Sequence, residues 1–317
     1  MATKVAILDD YQNVALSSAD WGPLAGRVEV EVFNDYIADP DELIRVLAPF
    51  EVIVAMRERT PFPGTLIESL PDLKLLITTG PANASFDIQT ANARGVVVSG
   101  TGGLLNPTSE LTWGLILAVT RNIPLEDRAI REGGWQVSIG PELGGHTLGI
   151  LGLGSLGQRV AKVAHAFDMK VNAWSPNLTK EKAEEHGATL VTKDELFSES
   201  DIVTIHLVLS DRSRGTVGAH ELGLMRPTAY LVNTSRGPIV DEAALVDALR
   251  TNKIAGAALD VFDKEPLPLE HPFRSLPNTV LTPHIGYVGS EIYGIFYTHI
   301  VEDIAAWLDG SPVRVIG

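Results

Sequence analysis

The sequence predicts an α/β protein built from two doubly wound parallel-sheet domains. Two observations carry that prediction. Short, fully apolar runs alternate with segments of helical length along most of the chain, and strands with no polar alternation belong to sheets covered on both faces. The 317 residues are also more than one domain of roughly 100–200 residues needs. A composition of 45% hydrophobic and 21% charged residues is ordinary for a globular chain and wrong for a disordered one.

Taken in order, the first half offers strand candidates at 5–8, 28–33, 52–56, 73–78 and 96–98. Asp39-Pro40 reads as the cap and first turn of a helix over Asp41–Ala48. Thr101-Gly102-Gly103 and Asn106-Pro107 then break the rhythm, and a long apolar helix follows over Ser109–Val119. The second half resumes with strands at 147–152, 170–174, 202–207, 229–233, 254–260 and 279–282. A second break at Pro283–Gly289 precedes a final amphipathic helix, about Ser290–Leu308. This arrangement implies a discontinuous layout. Residues 1–103 with 285–317 form one domain, and 104–284 form a second inserted into it.

Composition narrows the function classes. There is no cysteine, which excludes a disulfide framework, cysteine-ligated metal and a thiol nucleophile. A formal charge of −15 disfavours nucleic acid and anionic lipid as partners. The N-terminus runs from Met1 straight into Val5–Leu8 without a signal-peptide pattern, and no apolar run approaches the ~20 residues that span a bilayer. The expectation is a soluble, cytoplasmic protein that engages no membrane. No metal-ligand spacing is visible, so no metal is expected.

Gly152-Leu153-Gly154-Ser155-Leu156-Gly157 is a GxGxxG sequence between a strand and a helix. In that setting Gly152 permits a tight turn, Gly154 lets a pyrophosphate approach the backbone, and Gly157 permits close strand–helix packing. Ser155 and Leu156 then open the helix whose N-terminus attracts the anion. The inserted domain is therefore read as a Rossmann dinucleotide-binding domain, and its host as a flavodoxin-like substrate domain. The fingerprint calls for an acid at the end of the next strand to bind the ribose hydroxyl, but that strand ends in Ser175-Pro176-Asn177. Without the carboxylate, a 2′-phosphate is not repelled. Ser175 and Asn177 are candidate cofactor contacts, Thr179 and Lys180 lie nearby, and NAD or NADP both remain open as the cofactor.

Three segments after strands complete the pattern: 233–237 (NTSRG), 260–266 (DVFDKEP) and 282–286 (TPHIG). Together with LGILGLGSLGQRVAK, DIVTIHL and LVNTSRGPIVDEAAL, they make the chain similar to the D-isomer-specific 2-hydroxyacid dehydrogenases over nearly its whole length. The resemblance is to short members such as glyoxylate and hydroxypyruvate reductases and short phosphoglycerate dehydrogenases. It implies hydride transfer between NAD(P)H and a small 2-keto or D-2-hydroxy acid. It places the catalytic arginine, glutamate and histidine on Arg236, Glu265 and His284, and an aspartate near the nicotinamide amide on Asp260. His206 and Thr234 fall on the cofactor side.

Chemistry independently suits those roles. Reduction needs a proton on the carbonyl oxygen, which a histidine delivers well near neutrality. A carboxylate beside it stabilises the imidazolium and holds one tautomer. A guanidinium clamps a substrate carboxylate in a geometry that lysine does not reproduce.

The remaining substrate contacts are expected in the first half. Arg57 lies in a loop that resembles the family's arginine-containing loop. Gly80-Pro81-Ala82-Asn83 stands where the family uses backbone N–H groups on the substrate carboxylate. Pro81 has no N–H to give, so Gly80, Ala82 and Asn83 carry the expectation. His146, His165, His186, His220, His271 and His299 are read as surface or turn residues. The helix after Asn106 and the Gly133-Gly134-Trp135 segment resemble the family's dimer-forming region, which implies a homodimer. A different class on the same fold is a non-catalytic NAD(H)-sensing protein of corepressor type. Such proteins usually add peptide-binding extensions, and none is recognisable in the sequence.

Overall fold

A strand buried on both faces is predominantly apolar, and the central strands of this protein are. The computed structural model describes residues 2–317. The chain divides into two compact units. One comprises the described residues as far as Leu104 together with Val288–Gly317, and the other is Leu105–Tyr287.

The first unit holds β1 (Thr3–Ile7), β2 (Val28–Val32), β3 (Val52–Ala55), β4 (Leu75–Thr78) and β5 (Val97–Gly100). They form a parallel sheet in the order β2-β1-β3-β4-β5, the flavodoxin-like arrangement. Every residue of β3 and β4 is buried, whereas the edge strand β2 alternates, with Glu29 and Glu31 turned to solvent. The helix Pro40–Leu47 starts where its sequence says it should. The Asp39 carboxylate accepts from the Glu42 N–H at 2.8 Å, and Pro40 occupies the first turn, where no N–H is needed. Leu43 and Leu47 face the core with Phe50, Ile53 and Leu76.

The helix Ser290–Leu308 belongs to this unit and buries Phe296, Tyr297, Ile300 and Ile304. The C-terminal tail then pairs with β5, through Ile316 N–H to the Val98 carbonyl and Gly100 N–H to the Arg314 carbonyl. Arg314 fastens the tail to the helix. Its Nε donates to Asp303 at 2.9 Å, and its Nη2 reaches both Glu302 and the His299 carbonyl.

The second unit holds β6 (Thr147–Leu151), β7 (Lys170–Trp174), β8 (Thr189–Leu190), β9 (Ile202–Ile205), β10 (Tyr230–Asn233), β11 (Gly256–Leu259) and β12 (Thr279–Leu281). Their order is β12-β11-β10-β9-β6-β7-β8, all parallel. Counted from β6, this is the dinucleotide-binding order 3-2-1-4-5-6 with one further strand. Successive residues feed opposite faces. Val203, Ile205, Leu231, Ala257 and Leu259 enter one core, while Leu148, Ile150, Ile202, Val232 and Ala258 enter the other. That double burial is why the strands read as continuous apolar runs. Among the described residues, no helix is long and apolar enough to cross a membrane.

Asp303 supplies a stability test. Burial pushes its carboxyl up to about 7, against the opposing pull of Arg314. The folded state therefore binds this proton more tightly than the unfolded chain, whose carboxyl titrates near the ordinary value of 3.8. The associated stability is fully present below that value and is lost as pH rises towards 7. Thermal unfolding of the wild type and Asp303→Asn across this window should show the wild type losing ground to the variant as pH rises. A constant difference in melting temperature would contradict this account.

Candidate functional site

In an open parallel sheet, the loops leaving the carboxyl ends of the strands are the only backbone free to meet a ligand. In the second unit the loop after β6 lies at the point where strand order reverses, between β6 and β9. Gly152 has φ of +107°, and a Cβ there would come within 2.8 Å of the His206 backbone. At Gly157 a Cβ would collide with the Gly152 carbonyl, so this helix can start only with glycine at that position. The helix Ser155–Ala166 begins at Gly154 with no side-chain cap, and nothing lies within 4 Å of a Cβ built on Gly154. Uncapped N–H groups opening onto clear space suit a phosphate group, and the loop fits a dinucleotide. Ser155 is exposed and Leu156 half-buried at this helix start.

Ser175, at the end of β7, is tied to the same loop, its hydroxyl accepting from the Leu153 N–H at 3.1 Å. Asn177, two residues on, is exposed. His206 follows β9, with its Nε2 3.0 Å from the Thr204 hydroxyl, and burial pushes the imidazole down to about 4. His206 is therefore neutral near pH 7 and presents no positive charge to a ligand.

His284 and Glu265 come together from separate loops, after β12 and β11. The imidazole Nδ1 stands 2.5 Å from Glu265 Oε2, and the other carboxylate oxygen accepts from the Phe262 N–H at 2.9 Å. Glu265 is thus oriented by its own loop before it meets the histidine. The Tyr287 ring packs edge-on to the imidazole at 5.6 Å. His284 adopts φ of +55°, a conformation that costs a non-glycine residue of order 1–3 kcal/mol.

The contacts that hold it there involve Asp260. One carboxylate oxygen accepts from the Thr282 hydroxyl at 2.5 Å and the Ile285 N–H at 2.8 Å, and the other from the Gly286 N–H at 2.8 Å. Asp260 is completely buried, and burial pushes its carboxyl up while these donors pull it down. Both oxygens serve the histidine loop. Thr282 was part of the TPHIG motif but carried no task in the sequence reading; its hydroxyl is part of this clamp.

Arg236 follows β10 and opens the 3₁₀ turn Gly237–Ile239. Its side chain is half-buried, with Nη1 donating to the Ser235 carbonyl at 2.8 Å. Asn233 shapes the turn by accepting from the Ser235 N–H and donating to the Arg236 carbonyl. Thr234 is buried, and its hydroxyl meets that of Thr112 at 2.8 Å, inside the protein.

The first unit presents its own carboxyl-edge loops. Arg57 donates from Nη1 to the Thr79 carbonyl at 3.0 Å, and its N–H donates to the Thr79 hydroxyl at 2.9 Å. Its guanidinium lies so close to Gly80 that a Cβ there would collide with it. The Gly80 N–H donates to the Thr101 hydroxyl at 2.7 Å. Asn83 is buried and its amide braces the loop, donating to the Arg57 carbonyl and to the Thr78 hydroxyl. Ala82 is exposed.

Residues 113–286 match the family model described as D-isomer specific 2-hydroxyacid dehydrogenase, NAD binding domain. A glyoxylate reductase of Aeropyrum pernix is 40% identical over 298 residues, 91% of this chain and 89% of that protein. A D-3-phosphoglycerate dehydrogenase of Archaeoglobus fulgidus is 39% identical over 277 residues, 86% of this chain, which spans only 52% of that longer protein. Among solved structures, a phosphoglycerate oxidoreductase from Vibrio cholerae superimposes with a TM-score of 0.92 at 38% identity, covering 98% of this chain and all of the other. The chain belongs to the D-isomer specific 2-hydroxyacid dehydrogenase family, whose cofactor is NAD or NADP.

Proposed function

We propose that this chain exchanges a hydride between a nicotinamide dinucleotide and C2 of a small 2-keto or D-2-hydroxy acid, with His284 as the proton donor and acceptor. The observation that carries the reading is the 2.5 Å contact between His284 Nδ1 and Glu265, at the carboxyl edge of a dinucleotide-binding sheet. A dinucleotide bound there supplies the hydride for reduction and takes it up in oxidation. The residues manage the proton and the substrate's charge. Glu265 engages Nδ1, so Nε2 is the nitrogen that gives a proton to the oxygen on C2 or removes it. The glutamate's charge stabilises the imidazolium, and its bond to Phe262 fixes the ring's orientation. Arg236 holds the substrate carboxylate and polarises the keto group. The names of the relatives point to glyoxylate as the first substrate to try, with hydroxypyruvate as its near analogue.

Turnover is measured by loss of NADH or NADPH absorbance with each keto acid. His284→Ala should lower kcat by about 10²–10⁴-fold and leave dinucleotide affinity unchanged, since the glycine loop is untouched. Near-wild-type kcat, measured where chemistry limits the rate, would remove His284 from the mechanism.

The choice between dinucleotides is proposed to turn on Ser175, which is hydrogen-bonded to the glycine loop at the end of β7. A carboxylate at this position accepts the same N–H and repels a 2′-phosphate. Ser175→Asp should therefore cut the ratio of kcat/KM for NADPH over NADH by at least about tenfold, judged from one misplaced charge. An unchanged ratio would show that this residue does not face the ribose.

The partner is proposed to be a second copy of the chain. Leu117, Ile123, Ile130 and Trp135 line an open apolar hollow of about 660 Å³, with Trp135 74% exposed and Ile139 beyond it almost wholly so. Exposed apolar side chains gathered around a hollow suit a protein–protein contact. Light scattering should read twice the 34.1 kDa chain mass, and Trp135→Lys should shift it towards one. A wild-type chain that stays at 34.1 kDa at micromolar concentration would overturn the dimer.

A further inference from the structure

The proposed chemistry needs the Arg236 and His284 loops at a fixed separation, and they leave different strands, β10 and β12. The helix Asn106–Thr120 touches both. Near its start, the Thr108 hydroxyl donates to the Gly286 carbonyl at 2.8 Å, two residues beyond His284. One turn later, the Thr112 hydroxyl lies 2.8 Å from the Thr234 hydroxyl, two residues before Arg236. It also donates to the Thr108 carbonyl at 2.8 Å. A hydroxyl has one proton, so the assignment is forced. Thr112 gives its proton to Thr108, and Thr234 gives its own to Thr112. Thr112 is fully buried and Thr234 nearly so, which leaves no water to replace this bond.

We infer that Thr112 and Thr108 are positioning residues, which set the spacing of Arg236 and His284 by bonding both loops to one rigid helix. Neither touches the reacting atoms. The Gly286 carbonyl is held by Thr108 while its N–H is held by Asp260, so the histidine loop is gripped from the helix and from the sheet. The Arg236 loop is gripped from the helix by Thr234 and from its own turn by Asn233. A helix is a suitable ruler, because its two hydroxyls stand four residues apart on one face. Loss of the Thr112 hydroxyl strands the Thr234 proton in an apolar interior, and the cheapest relief is a rotation of Thr234 that carries the arginine loop with it. Misplacement of about 1 Å is enough to cost up to roughly 10²-fold in rate.

The inference rests on the reading that Arg236 and His284 act on the substrate, and the experiment separates the two. Thr112→Val keeps the shape and removes the hydroxyl, while Thr112→Ser keeps the hydroxyl and trims a methyl. With NADH or NADPH and the best keto acid, Thr112→Val should lose about tenfold or more in kcat, with dinucleotide affinity by fluorescence titration within twofold of wild type. Thr112→Ser should recover most of the loss. A Thr112→Val enzyme with wild-type kcat, or a serine variant as impaired as the valine one, would overturn the positioning role. So would an equal fall in dinucleotide affinity, because that marks general damage to the domain. Should Thr112→Val not fold, Thr108→Val, on the more accessible first turn, is read by the same criteria. His284→Ala is assayed alongside. If it keeps its activity, the reading of the site has failed; if it is inactive while Thr112→Val is unaffected, only the positioning role has.

Discussion

A carboxylate with no access to solvent, Asp260, holds the second unit's reactive edge in shape. Burying a charge costs several kcal/mol unless it is matched by donors, and three donors converge on it from Thr282, Ile285 and Gly286. All three come from the loop that carries His284. The exchange is therefore specific, because desolvation of Asp260 is offset only when that loop adopts one conformation. That conformation puts His284 in the left-handed region, a strain the loop tolerates because its neighbours' bonds depend on it. Glu265 then meets a ring whose position is already decided.

The same logic of spent donors explains the glycine loop. Gly152 and Gly157 allow β6 to hand over to the helix Ser155–Ala166 within a few residues, with backbone almost in contact with backbone. Nothing in the loop satisfies the helix's first N–H groups from a side chain, in contrast to the Asp39, Thr192 and Asp241 caps elsewhere. A stable helix can leave its N-terminus uncapped when water or a ligand meets it, and the open side of Gly154 provides that access. At the point where strand order reverses, the uncapped N-terminus beside these glycines is a place suited to an anion.

That contrast also explains how much was legible beforehand. Signals within a few residues of one another survive in sequence, so Asp39-Pro40, the GxGxxG loop and the doubly buried strands announced the helices, the phosphate loop and the α/β class. The His284–Glu265 pair was legible through its motifs rather than through any local rule. What stayed hidden depends on long-range partners. Nothing local to Asp260 shows that Ile285 and Gly286 turn back to it. Nothing local to Gly80 shows that its N–H goes to Thr101, 21 residues away. His299 passed for a surface residue, although its Nδ1 accepts from the Gly102 N–H. Nothing local to Thr108 and Thr112 shows that their hydroxyls meet Gly286 and Thr234. Strand β8 has two residues and no apolar run, too short for periodicity to register.

A formal charge of −15 remains to be squared with an anionic substrate and an anionic cofactor. Surface carboxylates more than about 8 Å away are largely screened at physiological salt, so only charges near the edge of the sheet matter. The carboxylates in contact with the His284 loop, Asp260 and Glu265, are each already bound to donors of the protein. Asp260 is bound to its clamp, and Glu265 to the Phe262 N–H and the imidazole. Hydrogen bonding disperses their charge into the backbone, and the imidazolium form of His284 neutralises one of them outright. The Arg236 guanidinium and the helix N-terminus at Ser155 each add a positive field, attractive to anions. Neutral His206, beside the glycine loop, adds nothing to that field near pH 7. Discrete attractive points of this kind on a chain of net negative charge suit a ligand that carries its charges in a few places better than a polyanion that spreads them along a chain.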